Sequence, residues 1–413
     1  KTLTLNCGQD SSFAGAATAQ GNQDGNGKGD FYYAPPSGYL ALCTDNLSDP
    51  EIALPGENFN TVLYTGDGAA DHAITGVGFQ PDLTWIKMRS STGQHMLFDA
   101  NRGADHYLVS NNNEEDKTDD TSLISFDSDG FSVGSGYHGN SNLATFASWN
   151  WKAGGTPTAD NDNAAGAVPD LGSVMIDGVA STAALAGTIA ATRLSANTTS
   201  GFSIVTYTGT GVSGATVAHG LSVAPTFGVV KSIDQTDQNW IVGATPLDPN
   251  WEKYLKLDTT VAVGDSTVIW NDTPPTASVF SLGNDDVNNK SAGTYVAYLF
   301  SNIEGYSKVG SYTGNGNADG VFIYTGFKPA YTLIKRIDTA NDWMIGDNKT
   351  SPYNVTDNML RANLSDAQQS GNNVDYVSNG VKIRVAGSAF NNSSGTYLYM
   401  AFAESPFKTA NAR

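Results

Sequence analysis

Thr294-Tyr-Val-Ala-Tyr-Leu-Phe300 decides how this chain is read, because its pattern occurs three times. A threonine, then an aromatic, then a closing aromatic at the seventh place also stand at Thr145-Phe-Ala-Ser-Trp-Asn-Trp151 and Thr396-Tyr-Leu-Tyr-Met-Ala-Phe402. Upstream of each heptad lies Tyr-Thr-Gly, starting at Tyr64, Tyr207 and Tyr312. Between the two landmarks come a proline and, six residues later, a lysine: Pro81 and Lys87, Pro225 and Lys231, Pro329 and Lys335. The interval from Tyr-Thr-Gly to the closing aromatic is 87, 93 and 90 residues. One module is used three times, and such repetition favours surfaces and scaffolds over a single catalytic centre.

Outward from the heptads, period-two alternation marks strands at Tyr331-Thr-Leu-Ile-Lys-Arg336 and Val381-Lys-Ile-Arg-Val385. Leu83-Thr-Trp-Ile-Lys-Met88 reads as a strand whose proline stands just before it, where a missing N–H costs little. No segment longer than about ten residues keeps a helical period. The fold expected is all-β: tandem antiparallel β-sandwiches, jelly-roll-like, in three related repeats over 58–155, 201–305 and 306–413. Residues 156–200 form a connector, read either as a helix over Ala183 to Arg193 or as an extended arm on a neighbour. Residues 1–57, with a strand-like Thr2-Leu-Thr-Leu5 and little else that is apolar, cannot bury a core alone and read as the end of a preceding domain.

Glycine numbers 45 and charged residues only 15%, a profile of sheets joined by many turns. The formal charge of −19 disfavours nonspecific binding to nucleic acid or anionic membrane. No apolar run approaches the ~20 residues of a membrane span. The two cysteines, Cys7 and Cys43, are too few for a disulfide scaffold and are read as a pair or as two buried thiols. No signal peptide is visible, and the start on Lys1 leads us to expect an upstream part.

The heptad aromatics read as inner-face core residues, and each recurring lysine as a strand end whose stem packs while its ammonium reaches water. Trp240 and Trp343 follow their lysines by nine and eight residues; they are the candidate ligand or interface aromatics, with packing favoured over a carbohydrate platform. Gly209-Thr-Gly-Val-Ser-Gly214 spells a dinucleotide fingerprint, but Ala215-Thr-Val-Ala-His-Gly220 continues as strand, so no helix N-terminus exists to hold a pyrophosphate. Asn315-Gly-Asn-Ala-Asp-Gly320 has oxygens at the first, third and fifth places of a calcium loop, but Gly326 stands where a bidentate glutamate belongs. Asn22, Asp24 and Asn26 make a similar partial match, so structural calcium is a minor expectation and no other cofactor is expected. Asp99 and Asp347 both stand twelve residues after their lysines, whereas Gly243 and Ala244 occupy that region of the middle repeat. Asp99 with Arg102 reads as a salt bridge or turn cap. The five histidines show no metal spacing, and no catalytic residue is assigned.

The ending Tyr397-Leu-Tyr-Met-Ala-Phe-Ala-Glu-Ser-Pro-Phe-Lys-Thr-Ala-Asn-Ala-Arg413 resembles the C-terminus of a group of tailed-phage virion proteins frequent in marine phages. Asn60-Thr-Val-Leu-Tyr-Thr-Gly66, Gly78-Phe-Gln-Pro-Asp-Leu-Thr-Trp-Ile-Lys87, Ser148-Trp-Asn-Trp-Lys-Ala-Gly-Gly155, Gly201-Phe-Ser-Ile-Val-Thr-Tyr-Thr-Gly209 and Gly305-Tyr-Ser-Lys-Val-Gly-Ser-Tyr-Thr-Gly-Asn-Gly316 are similar to the same group. There an SPRY-like sandwich precedes the repeats, and Gly29-Asp-Phe-Tyr-Tyr-Ala-Pro-Pro-Ser-Gly-Tyr-Leu-Ala-Leu42 looks like its final part. The resemblance implies a structural virion component, a tail fibre or appendage, with no catalytic residues to carry over. For such a fibre we expect self-association, taken as a trimer, binding to other virion proteins and contact with a host surface glycan or receptor, and no enzymatic activity. A capsid decoration or head fibre is the alternative, with a glycan depolymerase or lectin behind it.

Overall fold

The computed structural model describes residues 8–371 and 374–410. Cys7 and the strand expected over Thr2 to Leu5 lie outside them. The protein is all-β, built from several antiparallel sheets. Each heptad is a central strand of one large sheet: Thr145–Trp151 among six strands, Thr294–Phe300 among nine, and Thr396–Pro406 among five. On one side it pairs with the Tyr-Thr-Gly strand, setting Phe146 opposite Tyr64, Tyr295 opposite Tyr207 and Tyr397 opposite Tyr312. On the other side it pairs with the lysine strand. There Lys87, Lys231 and Lys335 each meet the third heptad residue: Ala147, Val296 and Leu398.

A small sheet covers the outer face of each large one. Two of these sheets have three strands and the middle one, Ala215–Ala218 with Val279–Leu282, has two. Each sandwich therefore has its own core. Phe146 belongs to the first, Tyr295 to the second and Tyr397 to the third.

The inner faces hold a fourth core, shared by all three modules. Because side chains alternate along a strand, heptad places three, five and seven point away from the sandwich that place two fills. Ala147, Trp149 and Trp151 meet Val296, Tyr298 and Phe300, and Leu398, Met400 and Phe402, in one cluster. The three closing aromatics form a triangle. Ring centroids are 6.3 Å apart for Trp151–Phe300 and 5.7 Å for both Trp151–Phe402 and Phe300–Phe402, all edge to face. The modules thus surround an approximate threefold axis rather than forming a string, and the heptad's two aromatics serve opposite faces rather than one inner face.

The connector settles as an extended arm. Its strand Ala191–Asn197 lies antiparallel on Phe202–Thr208 and carries Val174–Ile176 in parallel, extending the middle sheet to nine strands. No helix forms over Ala183 to Arg193, where interleaved threonine, glycine and β-sheet partners outweigh alanine content. Described residues before Phe59 contain two short 3-10 turns and one isolated bridge, Asn22 with Phe31. They are fixed to the far end of the chain by an ion pair of 2.7 Å between Asp49 and Lys408.

Candidate functional site

The recurring residues converge on the seams between modules. Lys87, Lys231 and Lys335 are fully buried, and their ammonium groups do not reach water as expected. Each crosses to the next module instead. Lys87 Nζ donates to the Ser365 carbonyl at 3.2 Å, Lys231 Nζ to that of Asn113 at 3.4 Å, and Lys335 Nζ to that of Thr260 at 3.1 Å. The receiving loop answers three residues later. Gln368 N–H donates to the Arg89 carbonyl, Asp116 N–H to that of Ile233 and Val263 N–H to that of Ile337, at 2.9, 3.0 and 3.0 Å. Each accepting carbonyl lies two residues beyond its lysine. First module clasps third, second clasps first, and third clasps second. Burial pushes all three lysines down to about 8.

The residue opposite each lysine completes the clasp. Trp240 Nε1 donates to the Val109 carbonyl at 3.0 Å and Trp343 Nε1 to that of Lys256 at 2.9 Å. Both tryptophans are almost wholly buried, at 0% and 1% exposure, so neither offers a face to a sugar. In the first module the place belongs to His95. Its Nδ1 accepts from Trp85 Nε1 at 2.9 Å, and its Nε2 faces the Arg361 carbonyl without reaching full hydrogen-bond geometry. Burial and the neighbouring Lys87 hold this imidazole well below its ordinary range, so it is neutral.

The acids at lysine-plus-twelve belong to the same seams. Trp149, at heptad place five, donates to Asp347 at 3.2 Å, and Tyr298, at the same place, donates to Asp99 at 2.7 Å. Backbone register puts Ala244, not Gly243, at the third such position, since Phe227 pairs with Ala244 as Leu83 does with Asp99 and Tyr331 with Asp347. Place five of the module that faces it carries Met400, which has no proton to donate. An acid is present where a donor faces it and absent where none does. Asp99 also accepts from Arg102 at 2.6 Å and from the backbone N–H groups of Asn101 and Arg102. Burial raises the Asp347 carboxyl, against hydrogen bonds from Thr350 N–H and Trp149.

One recurring side chain escaped the sequence reading. Asn140, Asn289 and Asn391 stand five residues before each heptad threonine and are fully buried. Their Oδ1 atoms accept from the backbone of Asp67, Thr210 and Asn315, tying down the chain just after Tyr-Thr-Gly. The glycine of that tripeptide is required by close approach. A Cβ on Gly66, Gly209 or Gly314 would come within 2.3, 2.5 and 2.3 Å of the facing Ser141, Lys290 and Asn392 carbonyls. The tyrosine of each tripeptide stacks on heptad place two, at 5.0, 5.3 and 4.7 Å.

The calcium-like turns use their oxygens internally. Asn315 Oδ1 accepts from Asn317 N–H and Asn391 Nδ2, and Asp319 pairs with Lys382 at 2.8 Å. Asp24 takes hydrogen bonds from Asn26, Lys28, Ala41 and Asn46; against the opposing effect of desolvation they pull its carboxyl down to about 2. Among the described residues no three His, Cys, Asp or Glu side chains converge as a metal site. Cys43 is exposed.

These features define a class: an all-β protein in which three two-sheet sandwiches close on one core through repeated cyclic clasps. The chain belongs to the family described as Domain of unknown function (DUF7483), whose model matches residues 54–176 and 175–406. No curated protein matches it.

Proposed function

We propose that this protein is a structural component of a tailed-phage virion, a fibre or appendage that presents loops to the host surface. The observation that carries the reading is that the recurring buried lysines, and the tryptophans and acids around them, bond across to a neighbouring module rather than lining an open cleft. A rigid body that offers related loops three times around an axis suits multivalent attachment, where many weak contacts multiply. The heptad strands give that body a direction. The aromatic triangle and the Asp49–Lys408 tie lie towards one end, and the Tyr-Thr-Gly turns lie towards the other. Attachment at the first end and contact at the second is the arrangement we infer. The threefold arrangement of modules lies within one chain; the self-association expected of a fibre, a trimer of chains, stays part of this proposal. The sequence resemblance to phage virion proteins supports the particle; the clasps support the mechanical role. Cryo-EM of the native particle tests both: density at the tail with the loop end outward is expected. Density lining the capsid, or absence from the particle, would overturn the attachment role.

A further inference from the structure

The connector closes the open side of the middle sandwich, bonding to the edges of both its sheets. Thr188 and Ile189 N–H donate to the Thr216 carbonyl, each at 2.9 Å, and Thr216 N–H donates to Thr188 Oγ1 at 2.9 Å. Two residues further on, Ala191 pairs with Tyr207 of the larger sheet. Ile189 and Ala191 are buried and join the middle core. No such arm precedes the third module, whose first strand, Ser307–Thr313, begins soon after Phe300. Asn302 and Ile303 cover only the lower half of that strand, at Ser307 and Val309. Ser311 and Thr313 are exposed.

The edge left open is Phe322–Tyr324, the counterpart of Ala215–Ala218. Both are the outermost strand of a smaller sheet, with Ile323 opposite Val381 as Val217 is opposite Phe280. The Val321 carbonyl accepts from Ile383 N–H, and Thr325 N–H donates to the Asn379 carbonyl, so these alternate residues bond within the sheet. Phe322 and Tyr324 therefore turn their backbone groups outward. Among the described residues only one of those groups has a partner, the Tyr324 carbonyl, which takes Lys308 Nζ at 3.1 Å. Both side chains are exposed, at 46% and 56%. The space beside them is open as well. A Cβ on Gly220, three residues past Val217, would come within 2.7 Å of Leu194 on the connector. One on Gly326, three past Ile323, would meet nothing closer than the Tyr324 hydroxyl at 3.6 Å. A cavity of about 670 Å³ opens there, edged by Leu47, Tyr324 and Phe407.

An apolar edge strand with free hydrogen-bonding groups is a template for another strand. We propose that this edge takes an extended segment of a partner protein, added to the third sandwich as the connector is added to the middle one. The connector gives the chemistry of that segment. It presents apolar or small side chains inward at alternate places, as Ile189 and Ala191 are, and its backbone donates to the Phe322 carbonyl as Thr188 and Ile189 donate to Thr216. The segment comes from a different protein, because a second copy has its own connector committed to its own middle sandwich. The matching edge of the first module, His72–Thr75, is also outermost, but it exposes Ala73 and Thr75, which offer a partner little apolar surface. This surface goes beyond the virion reading and stands or falls independently of it.

The probe is a fluorescent peptide with the sequence of residues 186–197, titrated into the full chain and followed by anisotropy. Hydrogen-exchange mass spectrometry then locates it, and protection is expected over 311–326 and nowhere on the first module. Phe322→Pro removes an N–H that the fold does not use and should weaken binding about tenfold, the worth of one hydrogen bond. Lys308→Ala frees the Tyr324 carbonyl and should strengthen binding severalfold, which keeps a readout if the proline variant does not fold. A peptide carrying Ile189→Asp should not bind. Absence of binding, protection over the first module or the seated connector instead, or affinity unchanged in both variants would overturn the assignment. So would self-association of the free chain that protects Phe322 and Tyr324, which would make a second copy the occupant.

Discussion

Raising the pH should make this protein more stable, and the three clasp lysines set the size of the effect. Each is lowered from 10.5 to about 8 by burial. Folding therefore discourages their protonation, and the stability they cost at neutral pH returns as they lose protons. For a depressed folded pKa the contribution is fully present above the unfolded value and is lost as pH falls through the folded one. At about 1.36 kcal/mol per pKa unit, each lysine costs roughly 3 kcal/mol at pH 7, or on the order of 10 kcal/mol for three. Between about pH 7.5 and 9.5 the recoverable part is on the order of 5 kcal/mol. The upper bound matters because tyrosines in the unfolded chain ionise near pH 10, whereas buried ones such as Tyr207 and Tyr331 are held well above that. Urea midpoints followed by fluorescence of the buried tryptophans would measure the slope. Converting Lys87, Lys231 or Lys335 to methionine, which keeps the packed stem, should remove about one third of it each time, and the triple variant nearly all. A flat or falling stability across the window would refute the argument, as would a slope that survives in the triple variant.

Phe402→Ala, which removes one corner of the aromatic triangle, should cost about 4 kcal/mol and lower one cooperative calorimetric transition for the whole chain. A separate early melt of the third module alone would contradict the shared core. Ala244→Asp should destabilise by about 3–5 kcal/mol, the cost of a buried uncompensated charge; adding Met400→Tyr should recover a good part of it, read as a coupling energy in a double-mutant cycle. Asp82→Asn should stabilise by up to about 3 kcal/mol at pH 8 and hardly at all at pH 4. Its raised carboxyl, at about 6, costs stability only once the pH has climbed past the ordinary carboxylate range. Equal effects at both pH values would refute that cause.

Strand positions and the tripled module were legible because alternation and the fixed proline-to-lysine step are local signals. The shared core was legible too, in a feature read too simply. Heptad places two and seven differ by an odd number, so they cannot share a face of one strand. Apolar residues at both parities, as in Tyr295-Val-Ala-Tyr-Leu-Phe300, mean a strand buried on both sides. The lysines misled because a charged residue at a strand end ordinarily reaches water. Only the neighbouring module's loop, far away in sequence, makes burial tolerable. The gap in the acidic position could be seen at Gly243 and Ala244, but its cause lies at Met400, which no local pattern connects to it. Asn140, Asn289 and Asn391 were open to discovery by aligning the repeats on their threonines.

The ring of modules is closed by a seam that no peptide bond spans. Its two sides are the first module, around Lys87 and Trp149, and the third, around Asp347 and Ser365. The residues that meet across it are 278 apart for Lys87 and Ser365 and 198 apart for Trp149 and Asp347, so a ribosome delivers the first side long before the second. Until Phe402 has emerged, the inner face carrying Trp149 and Trp151 has only the middle module's Phe300 for cover, and a chain that stops early leaves the rest open to aggregation. Biosynthesis of this protein therefore has a vulnerable interval set by topology. Truncation from the C-terminus should harm the first module as much as the last.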